Sequence, residues 1–177
     1  VSSIQISNLV ENESWIPIIA LWHHNEWLKT YEGLEGRDRS PDVIEKKLHE
    51  RSTSLQQHMC NDVLPTTFVA HKGNEPIGTV SLVYYQFTND HCPTEWLTNL
   101  FVLPECRQQG IASMLLNCAV NFADACDLPR LLLYTDDQIE FYRKRNWRSI
   151  NRGFVQGKKV EIMDYVLHGK DDSVEFS

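Results

Sequence analysis

The chain has 177 residues, 42% of them apolar and 23% charged, the make-up of one soluble globular domain with a core of its own. Seventeen Lys and Arg against twenty-four Asp and Glu leave a formal charge of −7. No stretch gathers the basic residues into a track for a phosphate backbone, which argues against nucleic acid as the main partner. The acidic surplus favours a cationic substrate, and it equally suits a surface kept charged for solubility. No apolar run approaches the roughly 20 residues a bilayer-crossing helix needs, since the run from Trp15 to Trp22 is short and ends in polar residues. Val1-Ser2-Ser3-Ile4 lacks the basic and apolar regions of a secretory leader. The five cysteines, Cys60, Cys92, Cys106, Cys118 and Cys126, form an odd, irregularly spaced set that suits reduced thiols. The expected location is the cytoplasm.

The chain reads as one α/β unit over residues 1–169, with a frayed tail over 170–177. Ile4-Gln5-Ile6-Ser7 alternates as a short strand, and an apolar-periodic helix follows from Glu13-Ser14 to about Lys29, with Pro17 in its first turn. Ser40-Pro41-Asp42 supplies a hydroxyl cap, a proline and an acid for a second helix running to about His58. From Thr66 the period changes to β. Thr66–Ala70 and Ile77–Tyr85 form a hairpin around the turn-like Lys72–Pro76, and Glu95–Val102 forms a further strand. A helix is expected from Gly110 to about Cys126, a buried strand over Arg130–Tyr134 and a short helix over Asp137–Arg145. Closing strands over Trp147–Arg152 and Val160–Leu167 are joined near Gly153–Lys159.

The segment from Leu100 to Ala112 is the most informative. A strand passes through a tight turn, Pro104-Glu105-Cys106-Arg107-Gln108-Gln109-Gly110, directly into a helix at Ile111. The first N–H groups of a helix lack intrahelical partners, and the helix dipole adds partial positive charge, so such a turn presents converging donors to an anion. Arg107 adds a cation, Gly110 lets the backbone approach a ligand, and small Ala112 lets the helix start sit near the sheet. Neither a Walker lysine nor a Gly-x-Gly-x-x-Gly string is present, so mononucleotide and dinucleotide phosphates lose their main support.

Arg107-Gln108-Gln109-Gly110-Ile111-Ala112 resembles the Gln/Arg-x-x-Gly-x-Gly/Ala signature of the GCN5-related N-acetyltransferase (GNAT) superfamily. Phe141-Tyr142, leading through Arg143–Asn146 to Trp147, is similar to a second family segment, and the resemblance spans roughly Thr66–Leu167. The resemblance implies a mixed, mostly antiparallel seven-stranded sheet, splayed between two parallel strands and flanked by about four helices. It also implies that the amides from Arg107 through Gln108, Gln109, Gly110, Ile111 and Ala112 to Ser113 hold the diphosphate of acetyl-CoA. The Leu100, Phe101 and Val102 backbone would pair with pantetheine as an added strand. The sequence departs from the common pattern at Gln108, where glycine is frequent, and at Thr135, where many members carry asparagine. A homodimer stays open.

Acetyl transfer to an amine needs an unprotonated amine, a stabiliser for the oxyanion and a proton for the departing thiolate. With a thiol pKa near ~8.5 and a phenol pKa near ~10, tyrosine suits the last task, and Tyr142 matches the family's tyrosine position. A backbone N–H at or near Leu100 is the oxyanion candidate. Glu95, at the start of the same strand, is the candidate base, with water as the other route. Trp22, Glu26, Trp27 and Tyr31 on the first helix offer aromatic surface and a carboxylate to an acceptor, although tryptophans at helical spacing also fill cores. A small cationic amine is the first acceptor class and a peptide N-terminus or lysine the second. The different-class alternative is a non-enzymatic acyl-CoA-binding regulatory module. His58-x-Cys60 and His91-Cys92 lack the paired spacing of a zinc site, so no metal is expected.

Overall fold

The computed structural model describes residues 3–31, 40–59, 62–85 and 94–167. The expected frayed tail, Cys60, His91 and Cys92 lie outside them. Strand β1 (Ile4–Asn8) leads through two 3₁₀ turns into α1 (Ile16–Tyr31), and α2 (Pro41–Gln57) follows. Then come β2 (Thr66–Lys72), β3 (Glu75–Tyr85), β4 (Thr94–Val102), α3 (Ile111–Ala125), β5 (Arg130–Thr135), α4 (Ile139–Arg143), β6 (Arg148–Val155) and β7 (Lys158–Val166). The strands form one sheet in the order β1-β2-β3-β4-β5-β7-β6. Every pairing is antiparallel except β4 with β5, as expected for a seven-stranded, mostly antiparallel sheet with four helices.

Two details differ from the expectation. Ser40 makes no side-chain cap bond to α2, whose start is set by Pro41 and Asp42. The last two strands are joined by a tight hairpin at Gln156-Gly157 rather than by a longer connection. Positive φ at both positions, 52° and 83°, supplies the twist that a two-residue hairpin needs.

The sheet is covered on both faces. On one, Leu115, Ala119 and Ala123 of α3, spaced on one helical stripe, meet Phe68, Val80, Leu82, Leu97, Leu131, Leu133 and Met163 of the strands. Gly78 lets α3 and β4 come this close, because a Cβ there would lie 2.8 Å from the Phe101 carbonyl oxygen and 3.2 Å from Leu115 Cδ1. On the other face, Ile16, Ile19, Ala20 and Trp22 of α1 and Leu55 of α2 pack with Val69.

That second face also holds a buried polar layer. His23 Nε2 lies 3.0 Å from Thr79 Oγ1, and His58 Nδ1 lies 2.7 Å from Thr67 Oγ1, which is 2.8 Å from Ser81 Oγ. Burial, reinforced by the positive charge of Arg51 and by His58, lowers the His23 pKa to about 3. Burial alone lowers that of His58 to about 4. Both imidazoles are neutral in the folded protein and take up protons on unfolding once the pH drops below their ordinary value. Their contribution to stability is therefore complete above pH ~6.5 and is lost as the pH falls from there, toward about 4 for His58 and about 3 for His23. At pH 5 each should cost about 2 kcal/mol. Thermal melting should show a clear fall in Tm between pH 7 and pH 5, and a His58→Gln variant should show a shallower fall.

Candidate active site

The site is built where β4 and β5 part. These two parallel strands share one registered pair, Trp96 opposite Leu132, and β4 then runs on to Val102 without a ladder partner on that side. Its departure coincides with a bulge. Thr98 lies opposite Ser81 and Phe101 opposite Thr79, so three steps of β4 match two of β3. The extra residue is accommodated at Asn99, which takes φ 53°, a left-handed conformation in which asparagine is enriched. Beyond the bulge the strand is regular. Leu103 N–H bonds to the Ile77 carbonyl at 2.9 Å, so by alternation the polar backbone of Phe101 faces β3 and that of Val102 faces the gap.

Arg107 closes the turn that follows. Its Nε donates to the Val102 carbonyl at 2.9 Å, and its guanidinium carbon lies 5.9 Å from the Phe101 ring centroid. The cation is thus fastened beside the open edge of β4 while remaining exposed. Gln108 (φ 61°) and Gly110 (φ 77°) are both left-handed, which coils the loop so that it enters α3 at a sharp angle. Gly110 is the N-cap and offers no side-chain acceptor. The first helical bond comes only from Met114 N–H to the Gly110 carbonyl at 3.0 Å, which leaves the Ile111, Ala112 and Ser113 amides for a ligand. Gln109 is exposed beside them, while Ile111 is sunk in the core at 1% exposure and anchors the turn.

Helix α4 is braced against this helix start. Arg145, just past its end, donates from Nε (3.1 Å) and Nη2 (2.7 Å) to Ser113 Oγ and from Nη1 (2.8 Å) to the Phe141 carbonyl. Its guanidinium carbon lies 3.7 Å from the Phe141 ring centroid. Thr135, the residue in place of the family's asparagine, accepts from the Gln138 N–H at 3.0 Å and shapes the entry to α4. Tyr142 is buried at 8% exposure, edge-on to Phe141 and Trp147. Burial first, then the negative charge of Asp137, pushes its phenol up to about 12, against the opposing pull of Arg145. Tyr142 is therefore a neutral O–H donor throughout the physiological range.

The remaining sequence candidates are scattered. Glu95 sits at the beginning of β4, half-buried and paired with Tyr84. It is five residues, or about 16 Å of strand, from Leu100. Trp22 is 8% exposed and packs on Phe101 with ring centroids 5.5 Å apart. Glu26 is paired with Lys29 at 2.5 Å. Trp27 stacks on His24 at 5.6 Å, with Arg51 5.4 Å from its centroid. Tyr31 ends α1, and its side chain lies outside the described residues, as does the 32–39 connection. Among the described residues no cluster of His, Cys, Asp or Glu could hold a metal ion. Sequence reasoning missed the bulge and the Arg145 brace. Asn99, a turn-prone residue inside a β-rich run, was the available signal for the first.

The sequence profile of the acetyltransferase (GNAT) domain matches residues 65–149, from the lead into β2 to the start of β6, so it spans the bulge, the turn and α4. Residues 65–149 form a GNAT domain. Solved acetyltransferase structures share the fold of the chain. YncA from Salmonella typhimurium, a structure with its cofactor acetyl-CoA, superposes with a TM-score of 0.67 at 13% identity, covering 95% of this chain and 96% of that one. The PaiA N-acetyltransferase of Thermoplasma acidophilum, in complex with coenzyme A, gives 0.63 at 22% identity over 93% and 99%. A GNAT-family acetyltransferase from Streptococcus pneumoniae gives 0.63 at 15% identity over 93% and 99%. No curated protein matches the sequence. Helices α1 and α2 fall outside the region matched by the GNAT profile.

The left-handed backbone at Gln108 explains why glycine is frequent at this position of the GNAT turn. Gln108 is exposed, so replacing it loses no packing. Gln108→Gly should raise stability by up to about 1 kcal/mol, whereas Gln108→Val should lower it by about 1–2 kcal/mol. Opposite shifts in thermal melting would check both.

Proposed function

We propose that this GNAT protein is an N-acetyltransferase that moves the acetyl group of acetyl-CoA to a primary amine by direct attack in a ternary complex. The observation that carries the reading is the pairing of an open β4 edge with a helix start whose amides have no acceptor among the described residues. An extended thiol arm and an anionic diphosphate need those two features side by side. Acetyl-CoA supplies the activated acyl group, and the chain supplies the rest. The Leu100–Val102 edge receives pantetheine, and a backbone N–H at or near Leu100 polarises the thioester carbonyl. The turn from Arg107 to Ser113 receives the diphosphate. Ser113 Oγ, already held by Arg145, leaves its backbone amide for that task.

Tyr142 serves the departing sulfur. Near 12, its pKa lies well above that of a thiol at ~8.5, so complete proton transfer is uphill while a hydrogen bond to the thiolate costs little. The role is O–H donation to the sulfur, with the proton itself supplied finally from solvent. The separation of Glu95 from Leu100 favours water as the route by which the amine loses its proton. A small cationic amine is the first acceptor class and a peptide N-terminus or lysine the second. Support for the first is the net charge of −7, since on α1 the Glu26 carboxylate is neutralised by Lys29. Cys106, Cys118 and Cys126 are free thiols, which supports a reducing, cytoplasmic setting. Among the described residues no helix is long and apolar enough to cross a membrane.

A thiol-release assay against a panel of amines and peptides tests the reading, with acetyl-CoA binding measured separately by calorimetry. Amine-dependent release of free CoA is expected. Binding without release across the panel would favour the acyl-CoA-binding module instead. Tyr142→Phe should lower kcat by about 10²-fold with the acetyl-CoA Kd essentially unchanged, and no alkaline loss of activity below pH 10 should trace to Tyr142. An unaltered kcat in the variant would remove the residue from this role.

A further inference from the structure

The bulge in β4 is held from outside the sheet. Thr79 has a single hydroxyl proton and donates it to the Asn99 carbonyl at 3.1 Å. Its oxygen can then meet His23 Nε2, 3.0 Å away, only as an acceptor. The imidazole must therefore carry its proton on Nε2, and a directed chain runs from α1 through β3 to the bulge: His23 N–H to Thr79 O–H to Asn99 C=O. Thr79 is fully buried and His23 is 6% exposed, so breaking the link between them leaves a buried polar partner unsatisfied.

The place where the chain ends gives it significance. Asn99 is a non-glycine residue held at φ 53°, a conformation that persists only when its surroundings over-determine it. Thr79 and Ser81 flank Val80, the β3 residue facing the bulge. Ser81 is reached from α2 by the His58–Thr67 chain, so the two helices grip β3 on both sides of that point. Trp22, next to His23, packs on Phe101, two residues beyond Asn99. Helix α1 thus fixes β4 by a hydrogen-bond chain at Asn99 and by ring packing at Phe101, and Leu100 lies between them.

We propose that His23 and Thr79 are positioning residues for acetyl transfer: by pinning the Asn99 carbonyl they hold the Leu100 peptide in register with the gap where the thioester is polarised. The assignment rests on the reading of that edge as the acyl-group site, and no side chain in it touches the reacting atoms. The low pKa of His23 keeps the imidazole neutral and the chain unchanged in direction across the working pH range.

Two pairs of variants test it. His23→Leu and Thr79→Val keep size and lose the donor, whereas His23→Gln and Thr79→Ser keep a donor in reach. The first pair should lower kcat by about 10- to 100-fold, the scale of an ångström-level misplacement, with the acetyl-CoA Kd within about 3-fold, and the second pair should restore most of the loss. Amide hydrogen exchange provides a readout independent of turnover. Protection at Phe101 and Leu103, whose N–H groups face β3 just beyond the bulge, should fall in the first pair while that of β5 and β7 is kept. Wild-type exchange at these amides, or equal impairment of the donor-keeping and donor-lacking variants, would overturn the proposal. Absence of turnover in the wild-type protein would instead strike the functional reading, and the exchange measurement would still decide the role of His23 and Thr79.

Discussion

The parting of β4 from β5 is the constraint from which the rest of the site follows. A parallel pair inside a sheet ordinarily satisfies its backbone along its whole length, yet here the ladder registers only Trp96 with Leu132. The polar edge of β4 beyond that point needs other partners, because an unpaired backbone group shut away from water is costly. One part of the answer is internal: Arg107 folds back to take the Val102 carbonyl. For the rest of the edge, the proposed acetyl-CoA would complete the ladder as an extended arm, and the turn at Gln108 and Gly110 leads into the first α3 amides, which have no acceptor among the described residues.

Holding such an edge open requires rigid support on both faces. On one face α3 comes close over Gly78, and its first turn is tied to α4 by Arg145, so the Arg107–Ser113 turn and Tyr142 share one braced unit. On the other face α1 and α2 meet β2 and β3 through hydroxyls and imidazoles as well as apolar contacts. Buried polar links are directional, and they set the position of a strand more narrowly than apolar packing does. A buried layer of hydroxyls and imidazoles therefore lies behind the β4 bulge.

Much of this was legible in the chain. The strand and helix order followed from period changes at Thr66 and Gly110, and the turn from Arg107 to Ala112 was recognisable because its chemistry depends on local backbone and on one glycine. Tyr142 was legible through its neighbour Phe141 and the aromatic residue Trp147 that follows. What local pattern could not reveal was long-range pairing. Arg107 was legible as a cation for the turn, but nothing local showed that its Nε takes the Val102 carbonyl five residues back. The tryptophans of α1 could be read as ligand surface or as core, and Trp22 lies in the core because Phe101, some eighty residues away, completes its contact. His23 carried no signal at all, since a lone histidine on an apolar face acquires meaning only from Thr79 and Asn99.

The central claim is that the β4 edge and the helix turn together receive acetyl-CoA. Titrating ¹⁵N-labelled protein with acetyl-CoA tests it most directly. The account predicts saturable shifts concentrated at the amides of Leu100 to Val102 and of Gln108 to Ser113, with the far strands β1 and β6 unmoved. Saturable shifts confined to other parts of the chain, or no association at all, would contradict it.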